Sequence, residues 1–201
     1  MLGVILTPFI MWAAPPKAAR FSLALNWMTQ SREYRAVCLQ TYAVAWEKVA
    51  AAAKEQQGSW AIVMDLDETV LDNSGYQRRL EASGRGHSQE AWEKWVAERK
   101  AGLVPGAGEF IARVRKLPRG RIIFISNRYA RNTGHSHANI DQLGIGAESD
   151  IYLLRKDRDD GKNTRRAEVL QDTGRMEAHG AIKVFWPGLV TWHTTVRRAP
   201  I

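Results

Sequence analysis

Apolar and polar residues follow two different patterns along this chain: segments with three- and four-residue spacing, and short continuous apolar runs. The first long segment spans 31–53, where apolar or aromatic positions recur at helical steps. Its recurring positions are Tyr34, Val37, Cys38, Thr41, Tyr42, Ala45, Trp46 and Val49. This spacing predicts one face of a long amphipathic helix.

Four short apolar runs predict strands that are buried on both faces. These runs span 60–64, 121–125, 150–154 and 181–186. Segments with helical spacing lie between them, at 108–117, 132–143 and 163–172. Strands that alternate with helices predict an α/β fold with a parallel sheet and right-handed crossovers. Ligands bind at the carboxyl ends of such strands, so the polar residues that follow each run are candidate site residues.

The stretch 73–106, between the first two predicted strands, is too long for a simple crossover. Within it, Ser88 precedes a segment with helical spacing and is a typical N-cap residue. We interpret this stretch as a small cap-like insertion near the strand ends.

Composition and charge narrow the function classes only slightly. The 201 residues are 45% hydrophobic and 25% charged, as in one soluble α/β domain, which we assign to 21–201. A net charge of +8 suits an anionic ligand, but the basic residues are scattered, so nucleic-acid binding is not predicted. The single cysteine, Cys38, cannot form an internal disulfide.

Residues 1–20 form a candidate leader segment. An apolar run spans 2–14 and is followed by Pro15 and Pro16, but no Lys or Arg precedes it. A secretory signal and a mis-assigned or non-native start are both compatible with this pattern. The run is too short to span a bilayer, so no transmembrane segment is predicted there.

Two carboxylates directly follow the first predicted strand. Asp65 and Asp67 can both face the crevice at the strand end, where backbone N–H groups of the same loop can bind an anion. In phosphate-ester hydrolysis one carboxylate can attack phosphorus while a second protonates the leaving oxygen and then activates water. An acidic turn that solvates the strand end is the alternative for an isolated Asp-x-Asp pair.

The segment 65–74 reads DLDETVLDNS and resembles the first motif of the class C nonspecific acid phosphatases and related 5′-nucleotidases. These proteins form part of subfamily IIIB of the haloacid dehalogenase superfamily. Further similar segments are LNWMTQS at 25–31, EY at 33–34, VPGA at 104–107, EF at 109–110 and SNR at 126–128. The resemblance covers about 21–186 and implies a Rossmann-like fold with helices on both faces of a parallel sheet.

The resemblance also implies roles for individual residues. Asp65 would be the nucleophile, Asp67 the general acid/base, and Thr69 would support the loop. Ser126 would donate its hydroxyl to the transferred phosphoryl group. A lysine of the third motif offsets the negative charge; Lys162 matches best, and Lys156 is the alternative.

Candidate substrate-binding residues are Asn127 and Arg128, which follow Ser126, and Tyr76 in the predicted insertion. Together with Trp92 and Trp95, Tyr76 could form an aromatic platform for a nucleotide base. The alternative is that the two tryptophans pack the insertion onto the core. The expected substrate is therefore a phosphomonoester, with nucleoside monophosphates as a candidate class.

The resemblance implies Mg²⁺ as cofactor, with Asp65 and Asp67 among its ligands. The related proteins supply further aspartates after the fourth strand, but no Asp or Glu follows Glu177 in this chain. Three explanations are open: a frameshift or erroneous end after about Gly188, a degenerate phosphatase, or a substitute carboxylate. Asp72 and the pair Asp159 and Asp160 are the candidate substitutes.

The sequence thus predicts a Mg²⁺-dependent phosphomonoesterase that acts through an aspartyl phosphate. The alternative is an impaired relative that binds phosphate or nucleotide without turnover. The oligomeric state stays open, with a homodimer among the alternatives. Because related enzymes are commonly exported, we expect a secreted or periplasmic protein, and otherwise a cytoplasmic one.

Overall fold

The computed structural model describes residues 21–171, with side chains for residues 21–169. Its helices are α1 (Leu23–Gln30), α2 (Arg32–Lys54), α3 (Ser74–Ser83), α4 (Gln89–Glu98), α5 (Ala107–Arg115), α6 (Thr133–Gln142) and α7 (Lys162–Gln171). Its strands are β1 (Trp60–Met64), β2 (Leu71–Asp72), β3 (Gly102–Leu103), β4 (Gly120–Tyr129) and β5 (Ile151–Arg155). The mixed α/β prediction is confirmed. The leader, the predicted strand 181–186 and the atypical segment 188–201 lie outside the described residues.

Strands β1, β4 and β5 form a parallel sheet in the order β1-β4-β5. Side chains on the two faces of this sheet enter two separate hydrophobic clusters. Ile62 and Met64 join the cluster that includes Phe110 of α5, whereas Val63 joins a smaller cluster with Val169 of α7. Both faces of β1 are therefore covered, which explains why its sequence is continuously apolar.

The central strand β4 is longer than the predicted run 121–125. It extends through Tyr129, which pairs with Arg155, and its register against β5 shifts between Ser126 and Tyr129. The motif SNR consequently lies inside the strand, not after it. The apolar run ends at Ile125, whereas pairing with β5 continues the strand to Tyr129.

Helix α2 agrees with the predicted long helix and begins after a break at Ser31. The Ser31 hydroxyl accepts hydrogen bonds from the backbone N–H groups of Glu33 (3.0 Å) and Tyr34 (3.5 Å), so it caps α2 and separates it from α1. In its second half, the ring of Tyr42 packs 5.2 Å from that of Phe110. Across residues 21–171, no helix combines the length and apolarity needed to cross a membrane.

The stretch between β1 and β4 contains a short antiparallel hairpin and two helices. Strand β2 pairs with β3, and α3 and α4 lie between these strands in the sequence. Ser88 caps α4 as predicted, since its hydroxyl accepts a 3.1 Å hydrogen bond from the Ala91 N–H. Helix α3 was not predicted. At Gly75 a Cβ would lie 2.7 Å from the buried indole of Trp95, so glycine permits the close approach of α3 to α4.

Candidate active site

The loop after β1 is a tight turn that holds the acidic motif at the carboxyl edge of the sheet. The carbonyl of Leu66 accepts hydrogen bonds from the N–H groups of Val70 (2.9 Å) and Leu71 (2.8 Å). Glu68 adopts a positive φ of 55°, which allows the chain to reverse. From α2, the hydroxyl of the buried Tyr42 donates a 2.5 Å hydrogen bond to the carbonyl of Thr69. The backbone at Thr69 is therefore anchored to a helix of the core.

Asp65 lies against Lys162, although 97 positions separate them in the chain. Lys162 Nζ is 2.5 Å from Asp65 Oδ2, and the other carboxylate oxygen accepts a 2.9 Å hydrogen bond from the Leu66 N–H. Lys156 instead pairs with Glu168 at 3.2 Å, and its side chain is 67% exposed. Of the two candidate lysines, the structure brings Lys162 to the nucleophile position.

The electrostatics of Asp65 reflect two opposing influences. Burial raises the pKa of the Asp65 carboxyl, and the nearby carboxylate of Asp67 raises it further. The ammonium of Lys162 lowers that pKa but does not fully offset the burial. The pKa of Asp65 is therefore raised overall, and the ion pair with Lys162 limits this rise because it stabilises the ionised form that a nucleophile requires.

Asp67 is held by three side chains, two from β4 and one from the residue before α3. Arg128 donates to Asp67 Oδ1 from Nε (2.9 Å) and from Nη2 (2.7 Å), and the Asn73 amide donates to the same oxygen at 3.0 Å. The hydroxyl of Ser126 lies 3.3 Å from Oδ2. Although Asp67 remains 21% exposed, its orientation is set by these protein donors.

Asn73 is a site residue whose role was not predicted. It is fully buried, and its side-chain oxygen accepts a 2.9 Å hydrogen bond from the indole N–H of Trp95 in α4. Its position within DLDETVLDNS marked it as part of the motif, but local sequence gave no partner for it. The contact to Trp95 requires α4 to pack against the motif, because 22 positions separate these two residues.

Comparison with known proteins decides the family. The sequence profile of the HAD superfamily, subfamily IIIB (Acid phosphatase), matches residues 7–176. The chain belongs to this family. The resemblance stated from the motifs is thereby confirmed.

Two solved structures of this acid phosphatase family are similar to the chain. They are the class C acid phosphatase from Bacillus anthracis and the same protein with tungstate bound. Each is 32% identical, with a TM-score of 0.67, and the match covers 74% of this chain. The chain spans 63% of the length of those proteins, so its own activity is a proposal.

Several family-derived expectations for individual residues differ from their positions here. Arg128 and Tyr76, predicted substrate contacts, are 1% and 3% exposed. Arg128 is bonded to Asp67, and the Tyr76 hydroxyl is 2.9 Å from Nδ1 of His87. Ser126, the predicted phosphoryl donor, is also buried and directs its hydroxyl at Asp67. These placements favour supporting contacts within the protein over direct contact with a substrate.

Asn127 and Trp92 are more accessible. Asn127 is exposed, and its side-chain oxygen accepts a 2.9 Å hydrogen bond from Arg165 Nη2. Trp92 is half-buried and packs edge-on against Tyr76, with ring centroids 5.0 Å apart, whereas Trp95 is buried. The packing interpretation therefore describes Trp95, and Trp92 retains a partly open surface.

The described residues of this acid phosphatase family member do not complete a Mg²⁺ site. Hard carboxylate oxygens suit Mg²⁺, and Asp65 can offer one. Both oxygens of Asp67, however, accept hydrogen bonds from Arg128 and Ser126. Among residues 21–171, no group of three or more His, Cys, Asp or Glu side chains could hold a metal ion.

Two of the three candidate substitute carboxylates are bonded to other partners. Asp72 accepts a 2.8 Å hydrogen bond from the Ser74 N–H, and Asp160 pairs with Arg165 at 3.2 Å. Neither joins Asp65 in a cluster of ligands within the described part of the chain. The segment where the family places its fourth motif lies beyond the described residues.

Proposed function

We propose that the chain is a phosphomonoesterase that forms an aspartyl phosphate on Asp65. The observation that carries the proposal is the contact between Asp65 and Lys162, beside a second, protein-held carboxylate at Asp67. A nucleophilic carboxylate, a cation and a second carboxylate at one strand edge are the groups that such a reaction needs.

In the first step, a carboxylate oxygen of Asp65 forms a bond to phosphorus while the ester oxygen leaves. Asp67 in its protonated form gives that oxygen a proton. In the second step, Asp67 takes a proton from water, whose oxygen attacks phosphorus, and the bond to Asp65 breaks to release inorganic phosphate. The ammonium of Lys162 offsets the charge between Asp65 and the phosphoryl group.

The substrate class follows from the surroundings of these two carboxylates. We propose a small phosphomonoester, with nucleoside monophosphates as candidates, because the half-buried Trp92 can offer part of its ring to a base. Asn127, exposed beside Ser126, is the proposed polar contact for the substrate. Mg²⁺ is proposed from the family, but no step is assigned to it because the described ligands are incomplete.

A second candidate function is phosphate binding without turnover. It is favoured by residues 178–201 of the sequence, which contain no Asp or Glu although the family resemblance implies metal-binding aspartates after the fourth strand.

We also propose that the protein is exported from the cytoplasm. This proposal rests on the apolar run at 2–14 and on the common export of related enzymes.

The deciding experiment measures hydrolysis of p-nitrophenyl phosphate and 5′-nucleotides, with Mg²⁺ and with EDTA. It uses the wild type, Asp65→Asn and, as a matched control, Glu148→Gln, which neutralises an exposed carboxylate outside the candidate site. Activity in the wild type and Glu148→Gln but not in Asp65→Asn would support the enzyme. An inactive wild type that still binds tungstate in calorimetry would favour the binding protein, and absence of both properties would reject both functions.

A further inference from the structure

We propose that Arg128 is a positioning residue that fixes the carboxylate of Asp67 for proton transfer. This inference rests on the proposed function, because it assigns Arg128 a task in the same reaction. The guanidinium contacts Asp67 through Nε and Nη2, at 2.9 and 2.7 Å from Oδ1. Its third nitrogen, Nη1, donates to the Ser136 hydroxyl at 3.1 Å.

The ion pair between Arg128 and Asp67 involves a buried guanidinium. Arg128 is 1% exposed, and burying a charged side chain is unfavourable unless its partners offset the lost hydration. The planar fork of a guanidinium matches a carboxylate, and arginine side chains carry a positive charge in proteins. The arrangement therefore supplies a permanent cation with fixed geometry next to Asp67.

Arg128 is itself held in place by neighbouring residues. Ser136 of α6 is fully buried, and the Ser126 hydroxyl accepts a 3.1 Å hydrogen bond from the backbone N–H of Arg128. The Trp92 ring lies 5.6 Å from the guanidinium carbon. A side chain with these neighbours cannot swing into the site to contact a substrate without breaking several bonds.

The consequence for catalysis concerns the direction in which Asp67 offers its proton. A general acid must lie within hydrogen-bond reach of the leaving oxygen, and small displacements reduce its efficiency. Arg128 binds Asp67 mainly through Oδ1, and the Asp67 side chain keeps 21% of its surface exposed. Loss of the fork should therefore weaken proton donation more than it weakens phosphate binding.

The test compares two substrates that differ in how much they need an acid. p-Nitrophenyl phosphate has a good leaving group and needs little protonation, whereas benzyl phosphate expels a strongly basic alkoxide. In Arg128→Lys we expect kcat for benzyl phosphate to fall about tenfold more than kcat for p-nitrophenyl phosphate, with smaller changes in KM. Asp67→Asn should also lower kcat more for benzyl phosphate than for p-nitrophenyl phosphate. The double variant should show no larger difference between the two substrates than Asp67→Asn alone.

Two further variants keep the test decisive. Arg115→Lys is the matched control, because it removes the guanidinium of another ion pair, that of Arg115 with Asp150 at 2.7 Å. It should lower kcat for both substrates equally or leave both unchanged. If Arg128→Lys fails to fold by circular dichroism, Ser136→Ala takes its place, because it removes one anchor of Arg128 and should give the same selectivity in weaker form.

The outcomes separate this inference from the proposed function. Selective loss on benzyl phosphate, absent in Arg115→Lys, supports the positioning role. Equal loss on both substrates, or none, in an active enzyme overturns that role alone. A wild type that hydrolyses neither substrate overturns the proposed function and the positioning role with it.

Discussion

The indole N–H of Trp95 donates a 2.9 Å hydrogen bond to the side-chain oxygen of Asn73, and the Asn73 amide donates to Asp67 at 3.0 Å. One buried asparagine therefore connects the helix pair α3–α4 to the proposed acid/base carboxylate. Because Asn73 is fully buried, its side chain relies on such protein partners for its hydrogen bonds.

Trp95→Phe should test this connection. The substitution keeps an aromatic ring but removes the shorter of the two donors to the Asn73 oxygen and leaves it only Arg128 Nη2 at 3.4 Å. Weakening the hydrogen bonding of a buried acceptor costs about 1–3 kcal/mol. We expect the free energy of unfolding in urea to fall by that amount. Trp92→Phe is the matched control and should cost less, because no hydrogen bond of its indole is seen among residues 21–171. Equal losses for both variants would contradict the prediction.

Tyr42→Phe should loosen the catalytic loop from α2. It removes the hydroxyl that donates to the carbonyl of Thr69 while keeping the ring against Phe110. We expect a loss of about 1 kcal/mol in the free energy of unfolding. Hydrogen exchange at the loop amides should be faster in the variant than in the wild type, and this increase should exceed any increase in β4. Unchanged exchange at 66–71 would show that the loop does not depend on this anchor.

The two candidate lysines offer a direct comparison. Lys162→Met removes the cation next to Asp65, so we expect kcat for p-nitrophenyl phosphate to fall by about a hundredfold or more. Lys156→Met breaks only an exposed pair with Glu168 and should change kcat less than about twofold. A large loss from Lys156→Met would contradict the assignment of Lys162.

The ion pair between Arg79 of α3 and Glu98 of α4 makes the stability of the contact between these helices dependent on pH. Hydrogen bonds from Arg79, and then from Lys100, lower the pKa of Glu98 from 4.5 to about 2. Its contribution to stability is therefore fully present above pH 4.5 and is lost as the pH falls toward 2. Because the Glu98 side chain is 33% exposed, we expect no more than about 1 kcal/mol, further reduced by salt.

Glu98→Gln is the corresponding measurement. The difference in free energy of unfolding between wild type and variant should be largest near neutral pH and should fade below pH 4.5. A difference that grows as the pH falls would contradict the assigned direction. Glu90→Gln is the control, since Glu90 pairs with Lys94 within α4 alone and does not connect the two helices.

Sequence patterns predicted the elements of the core closely. The run 60–64 became β1 without change, and the long helix and Ser88 cap were found within a residue of their positions. These features depend on local periodicity and local hydrogen bonds, which the order of residues contains. Helix α3 was missed because it begins inside the motif and has only one buried residue, Tyr76.

For the candidate site, the sequence by itself determined the acidic motif, its place after a buried strand, and the family to which the chain belongs. Tertiary structure decided which residues meet: Lys162 and not Lys156 at Asp65, and Arg128 at Asp67. These contacts join positions 97 and 61 residues apart. Partners at such separations are set by how strands and helices pack, because no local pattern specifies which distant charge a carboxylate will face.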